Sequence, residues 1–353
     1  MATTAPPRVV VADDSALMRR IVSNLLIRGG VEVVGSAKDG DEALALCERE
    51  SPDAMTLDLA MPGLGGIDVL RALRRRGGQQ IPVVVVSAFS PAQGARAVDA
   101  LAEGAFELVP KPSGNGDVEA FERNLLTKIR QAVTSRPRRR APAPAATPAP
   151  PAAPPSRPAR RSRPGRHSQV LLIATSTGGP RALAALMPEL PSPLGLGTLI
   201  VQHMPAGFTA SLAARLDRSS PLTVREAQGG EKLDPGVALI APGGRHLRLG
   251  SDGVTTLSDE APLGGLRPRA DLLIEDAARL YRERLLLVVL TGMGNDGLRG
   301  AREVRRTGGR ILAEAEQTCT VYGMPRAIVE AELADDVLGL HQLPDAIAVE
   351  MAR

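Results

Sequence analysis

The chain of 353 residues has no tryptophan and only two tyrosines and four phenylalanines, so aromatics supply 2% of it. That scarcity argues against a platform of stacked rings for single-stranded nucleic acid and leaves any core to Leu, Val, Ile and Ala. Cysteine is nearly missing as well. Cys47 and Cys319 lie far apart without metal-ligand spacing, which excludes a disulfide framework and fits a reducing compartment. No apolar run approaches the roughly 20 residues needed to cross a bilayer, and no signal-peptide pattern opens the chain. The expectation is a cytoplasmic protein with no membrane insertion.

One stretch lacks acid altogether. Residues 134–168 carry nine Arg and ten Pro and no Asp or Glu, a composition that cannot bury a core and stays extended. A flexible linker is expected over residues 134–167, either a solvated spacer or a tether that touches an acidic surface. The net charge of +4 belongs to this segment: without its nine Arg, 34 basic residues face 39 acidic ones, a net of −5. Nucleic acid is therefore not an expected partner, and a DNA-binding effector would need a smaller, basic helix-turn-helix domain after the linker. With 43% hydrophobic and 23% charged residues, the rest is globular material for about two domains.

The first domain, residues 7–133, alternates apolar runs with amphipathic segments. Strands are expected at Arg8 to Ala12, Val31 to Gly35, Ala54 to Leu57, Pro82 to Val86 and Phe106 to Val109. Five strands with helical crossovers predict a doubly wound parallel sheet, whose ligands collect at the carboxyl ends of the strands. Asp13, Asp14, Asp58, Ser87 and Lys111 fall at those ends. Three adjacent carboxylates make a hard oxygen site suited to Mg²⁺. Asp58 can then act as a carboxylate nucleophile towards phosphate, with Lys111 pairing the phosphoryl charge and Ser87 hydrogen-bonding it.

The second domain, residues 168–353, opens with the apolar run Val170 to Ile173, the turn Ala174-Thr175-Ser176-Thr177-Gly178-Gly179-Pro180 and a helical segment from Arg181 to Met187. A strand-to-helix turn with two glycines can hold a serine nucleophile beside free helix amides; taken alone, it is equally a phosphate-binding or merely structural turn. Further βα units around Thr198 to Gln202 and Leu285 to Leu290 end in Gln202-His203-Met204-Pro205 and Thr291-Gly292-Met293-Gly294-Asn295-Asp296-Gly297. The Gly- and Asp-rich section from Leu222 to Ser258 reads as hairpins built from Val237 to Ile240, His246 to Leu249 and Val254 to Leu257. Of four histidines, His203 and His246 are candidate bases, and His203, at a strand end before a helix, is preferred. Asp296 can orient an imidazole or simply cap a helix. Ser176, His203 and Asp296 follow a chain order unlike that of α/β-hydrolases, and Ala174 replaces the first glycine of their nucleophile elbow.

Two resemblances follow. Asp13, Asp14, Asp58 with Met61-Pro62-Gly63, Ser87 and Lys111-Pro112 resemble the receiver domain of two-component response regulators. That likeness implies Asp58 as phosphoacceptor and Ala60 as a further metal ligand through its carbonyl; Leu108 stands where many receivers carry an aromatic switch residue. The stretches around Ser176, Gln202 to Thr209, Ile240 to His246, Thr291 to Gly297 and Tyr322 to Pro325 resemble the catalytic domain of the CheB chemotaxis methylesterases. This implies hydrolysis of glutamate methyl esters on methyl-accepting chemoreceptors, with glutamine deamidation, by a Ser176–His203–Asp296 triad without a cofactor. It also implies main-chain donors at Thr177 and Met293 for the oxyanion, and a chemotaxis histidine kinase as phosphodonor. A catalytically silent signalling scaffold is the alternative. In Leu266-Arg267-Pro268-Arg269-Ala270-Asp271, Arg269 replaces a small hydroxyl residue of the family, where it either alters receptor docking or is solvated.

Overall fold

The computed structural model describes residues 5–75, 81–88, 91–112, 118–135 and 169–353. The expected linker lies outside these from residue 136 onward. The first domain runs β1 (Arg8–Ala12), α1 (Ala16–Arg28), β2 (Glu32–Ala37), α2 (Gly40–Glu50), β3 (Ala54–Leu57), α3 (Gly66–Arg75), β4 (Val83–Ser87), α4 (Pro91–Ala102), β5 (Glu107–Pro110) and α5 (Val118–Thr134). Its five strands pair in parallel in the order β2-β1-β3-β4-β5. β3 and β4 are buried along their whole length, which is why they read as unbroken apolar runs rather than alternating ones. Helix starts follow local chemistry: Ser15 accepts from the Met18 amide and Asp39 from the Glu42 amide, satisfying N–H groups that the helix itself leaves free.

The second domain contains β6 (Val170–Thr175), α6 (Gly179–Leu186), β7 (Gly197–Gln202), α7 (Phe208–Asp217), β8 (Thr223–Glu226), β9 (Val237–Ile240), β10 (His246–Leu249) and β11 (Thr255–Ser258). It continues with α8 (Ala270–Tyr281), β12 (Leu285–Val289), α9 (Leu298–Thr307), β13 (Arg310–Glu314), α10 (Met324–Glu330), β14 (Asp336–Leu338) and α11 (Leu343–Met351). Seven strands form a parallel sheet in the order β14-β13-β12-β6-β7-β9-β8. Central β6 lies between β12 and β7, so the three loops that follow these strands share one edge of the sheet, where strand order reverses and α/β folds place their ligands.

The hairpin expectation needs correction. Among the strands of the described residues, only β10 and β11 form an antiparallel pair, whereas Val237–Ile240 is β9, which runs parallel to β7 and extends the main sheet. The short apolar run carries no mark of its partner, and here the partner is a strand some forty residues earlier. Strands β8, β13 and β14 were not anticipated.

The two domains are docked. Helix α4 of the first lies on α6 and α7 of the second, Asp99 pairs with Arg215, and Thr177 Oγ1 donates to Glu107 Oε2 at 2.7 Å.

Candidate active site

Ser176 and His203 each follow the last paired residues of adjacent strands, since Thr175 of β6 is in register with Gln202 of β7. The Gln202 amide group ties the two turns together, donating to Ser176 O at 2.9 Å and to His203 O at 3.1 Å. Gly178 takes φ +83° ahead of α6, and a Cβ on Gly179 would lie 2.0 Å from Gln202 Oε1. Both glycines of the turn are thus required, one by conformation and one by space.

The loop after β12 closes on the same turn through Thr291. Its carbonyl accepts from the Ser176 amide at 3.0 Å and from Thr175 Oγ1 at 2.9 Å, while its own hydroxyl donates to Thr177 O at 2.9 Å. Buried Glu314 at the end of β13 holds the Thr291 amide at 2.8 Å, and burial pushes its carboxyl above the usual range despite that bond. Neither Thr177 N–H nor Met293 N–H donates to another protein group among the described residues, so two free amides flank the serine.

Asp296, nearly inaccessible at 2%, accepts from His203 Nε2 at 2.7 Å and from the amides of Ala270, Asp271 and Gly297 at 2.7, 3.0 and 2.9 Å. Burial works against its charge, but the His203 hydrogen bond and charge, with the Asp271 and Ala270 amides, hold it well below the usual carboxylate range. An ionised Asp296 makes Nε2 the protonated ring nitrogen, leaving a lone pair on Nδ1. That Nδ1 is buried and has no hydrogen-bond partner. No hydrogen bond joins it to Ser176 among the described residues, a looseness common before substrate binds.

The competing histidine is fully committed elsewhere. His246 is 0% exposed; its Nδ1 accepts from the Arg269 amide at 3.1 Å and its Nε2 lies 3.4 Å from Ala261 O. Arg269 is neither solvated nor turned outwards: it pairs with Asp271 at 2.8 Å and with Asp296 at 2.9 Å. The reading from sequence missed this pairing, as it missed the tying roles of Gln202 and Glu314, because a side chain's partner across 27 residues leaves no local pattern.

In the first domain the ligand atoms of Asp13, Asp14 and Asp58 lie within 4.8 Å of one another. Lys111 Nζ sits among them, 2.7 Å from Asp13 and 3.1 Å from Asp58. Burial alone would pull this lysine down, yet the two aspartates outweigh it and hold its pKa up; burial raises Asp13, with Lys111 opposing. An ammonium drawn into an all-oxygen cluster marks a place that demands positive charge, so the donor set fits a divalent cation. Ser87 is buried at the end of β4, exposed Ala60 follows Leu59, and Leu108 is buried in the core.

A phosphate-type receiver site joined to a parallel α/β domain with a hydrolase-like Ser/His/Asp cluster defines a two-domain regulator with an enzymatic effector. The chain belongs to the CheB methylesterase family. The family model described as "CheB methylesterase" matches residues 171–347, and "Response regulator receiver domain" matches residues 9–121. It is 40% identical to a protein-glutamate methylesterase/protein-glutamine glutaminase of Symbiobacterium thermophilum, with 97% of this chain and 96% of that protein covered. Identity to the protein of the same name from Thermotoga maritima is 36%, over 96% and 97%. The crystal structure of the Thermotoga maritima CheB methylesterase catalytic domain aligns with a TM-score of 0.50 at 42% identity, covering 52% of this chain and 98% of that one.

Close packing of the two loops yields a prediction. A Cβ at Gly292 would fall 2.4 Å from Met324 Sδ and 2.8 Å from Ser176 Cβ. Gly292→Ala is expected to displace the serine turn by a fraction of an ångström and cut esterase activity by about 100-fold, with the far-UV circular dichroism unchanged. Wild-type turnover in this variant would refute the packing argument.

Proposed function

We propose that the chain hydrolyses glutamate methyl esters of methyl-accepting chemoreceptors, and deamidates receptor glutamines, by a serine mechanism under control of its receiver. The observation that carries the reading is the buried His203–Asp296 pair, whose Nδ1 has no partner and whose turn is tied by Gln202 to the turn of Ser176. Nδ1 takes the Ser176 hydroxyl proton as Oγ attacks the ester carbonyl, and the imidazolium is stabilised by the ionised Asp296. The Thr177 and Met293 amides receive the oxyanion. The C–O bond then breaks, methanol leaves with the proton from Nδ1, and water hydrolyses the acyl-enzyme by the same steps; ammonia replaces methanol for glutamine.

In the receiver, Asp58 is the phosphoacceptor and a chemotaxis histidine kinase the phosphodonor. Asp13, Asp14, Asp58 and the Ala60 carbonyl would hold Mg²⁺, which supplies charge neutralisation for the incoming phosphoryl group. Lys111 and Ser87 contact that group once it is attached. The docked arrangement supports inhibition at rest: Glu107, next to the buried Leu108 and held by Lys128 at 2.8 Å, engages the side chain of Thr177. Receiver residues Gln131 and Thr134 of α5 face Met293 and Tyr322 across a cleft of about 850 Å³. Phosphorylation adds charge beside Lys111, on the strand end that follows Glu107.

Ser176→Ala is expected to abolish methanol release from methylated receptor membranes, and His203→Ala to come close to it. The double variant should be little worse, because triad losses are strongly non-additive. Substantial release by Ser176→Ala would reject the mechanism. A folded wild-type protein that releases none would favour a signalling scaffold.

Acetyl phosphate with Mg²⁺ should add one phosphoryl group to the wild type and none to Asp58→Asn, as read by mass spectrometry. Modification of another aspartate would overturn the receiver assignment.

Because the two domains belong to one chain, each stands at an effective concentration near the millimolar range for the other, enough for a weak interface to inhibit. A fragment from Ser168 to Arg353 should therefore outpace the unphosphorylated full chain, and phosphorylation should close the gap. Equal rates for the fragment and the resting full chain would exclude occlusion.

A further inference from the structure

The residue that sets this site apart is Arg269. Helices α8 and α9 exchange carboxylates at their N-termini: Asp296, ahead of α9, accepts the Ala270 and Asp271 amides of α8, while Asp271 of α8 accepts the Gly297 and Gly300 amides at 2.9 Å each. The Gly297 amide lies 2.9 Å from Asp271 Oδ1 and 2.9 Å from Asp296 Oδ1, so two carboxylates, 1% and 2% exposed, are held side by side. Buried like charges of this kind need a cation or give up a charge. The guanidinium of Arg269 supplies it, with Nη2 at 2.8 Å from Asp271 Oδ2 and Nε at 2.9 Å from Asp296 Oδ1. Its third nitrogen, Nη1, donates to Leu263 O at 3.1 Å, and the Gly264 turn closes over it so tightly that a Cβ there would lie 2.8 Å away.

We propose that Arg269 is a positioning residue of the hydrolytic site, bridging the Asp271 and Asp296 carboxylates so that Asp296 is fixed beneath His203. This rests on the assignment of His203 and Asp296 as base and orienter. With Arg269 in place, the imidazolium formed during reaction completes a neutral set of two cations and two anions. Among the other charged groups of the packed elements, Arg248 of β10 pairs with Asp276 of α8, Arg299 of α9 with Glu275 of α8, Arg279 of α8 with Glu303 of α9, and Arg267 donates to the carbonyls of Asp259 and Glu260. His246 meets Arg269 only through its main-chain amide.

Removing the guanidinium has one sign on the acid side. Either the carboxylate pair takes up a proton or the imidazole holds its own more firmly, and both suppress activity at low pH. Methanol release by phosphodonor-treated full chain should show Arg269→Met with kcat down about tenfold, KM within about twofold, and the acid limb about one pH unit higher. Arg269→Lys should keep the wild-type limb with a reduced kcat, since an ammonium lacks the planar fork. In Arg269→Met/Asp271→Asn, where one buried anion is removed with the cation and Asn Oδ1 still accepts both amides, the limb should return to within about 0.3 unit of wild type. An unmoved limb in Arg269→Met overturns the proposal, as does a double variant that stays displaced or unfolded; if Arg269→Met alone does not fold, the double variant decides. Ser176→Ala in the same assay separates the two levels: activity there sinks the triad itself, whereas an inactive Ser176→Ala beside an unmoved limb sinks only the role of Arg269.

Discussion

The catalytic half of the molecule hangs on the exchange of carboxylates between the N-termini of α8 and α9. A helix start carries free amides and a partial positive charge, and each of these two starts is satisfied by an aspartate belonging to the other. Because Asp296 is locked by the start of α8, its remaining acceptor capacity points at His203, and the imidazole is set in one tautomer. A single aspartate therefore closes a helix, joins the loop after β12 to the loop after β7, and holds the imidazole of His203. The cost of burying it is offset by five hydrogen-bonding or charged partners rather than by any one of them.

Thr291 does for the turn of Ser176 what the exchanged caps do for His203. Its three bonds to Thr175, Ser176 and Thr177 make the turn after β6 and the loop after β12 one rigid unit, and Glu314 anchors that unit from beneath. Glycine is needed at Gly292 because its loop approaches Ser176 within a methyl group, and at Gly179 because the Gln202 and Thr175 side chains fill the space a Cβ would take. Preorganisation of this kind matters where amides must meet a charge that exists only in the transition state.

The receiver reaches this unit directly. Glu107 of β5 takes the Thr177 hydroxyl, and the same strand leads to Lys111, which balances Asp13 and Asp58. The lysine of the carboxylate cluster and the contact at the serine turn thus share one short strand. Leu108 of this strand is buried, and α4 is the helix of the first domain that packs on α6 and α7.

Much was legible from residues alone. Strands buried on both faces read as apolar runs, so β1 and β3 were placed to the residue, and β9 and β10 matched in extent as short alternating runs; the placing of Asp13, Asp58, Lys111, Ser176, His203 and Asp296 at strand ends followed from the parallel topology. Local chemistry decides such features: side-chain period, turn glycines and cap residues act within a few positions. Tertiary structure alone decided that Val237–Ile240 joins the main sheet, that His246 spends its Nδ1 on the Arg269 amide, and that Arg269 turns inwards to a pair of buried carboxylates. In each case the outcome depends on which distant segment packs alongside, and neither a short apolar run nor a lone charged side chain encodes its partner when that partner lies tens of residues away.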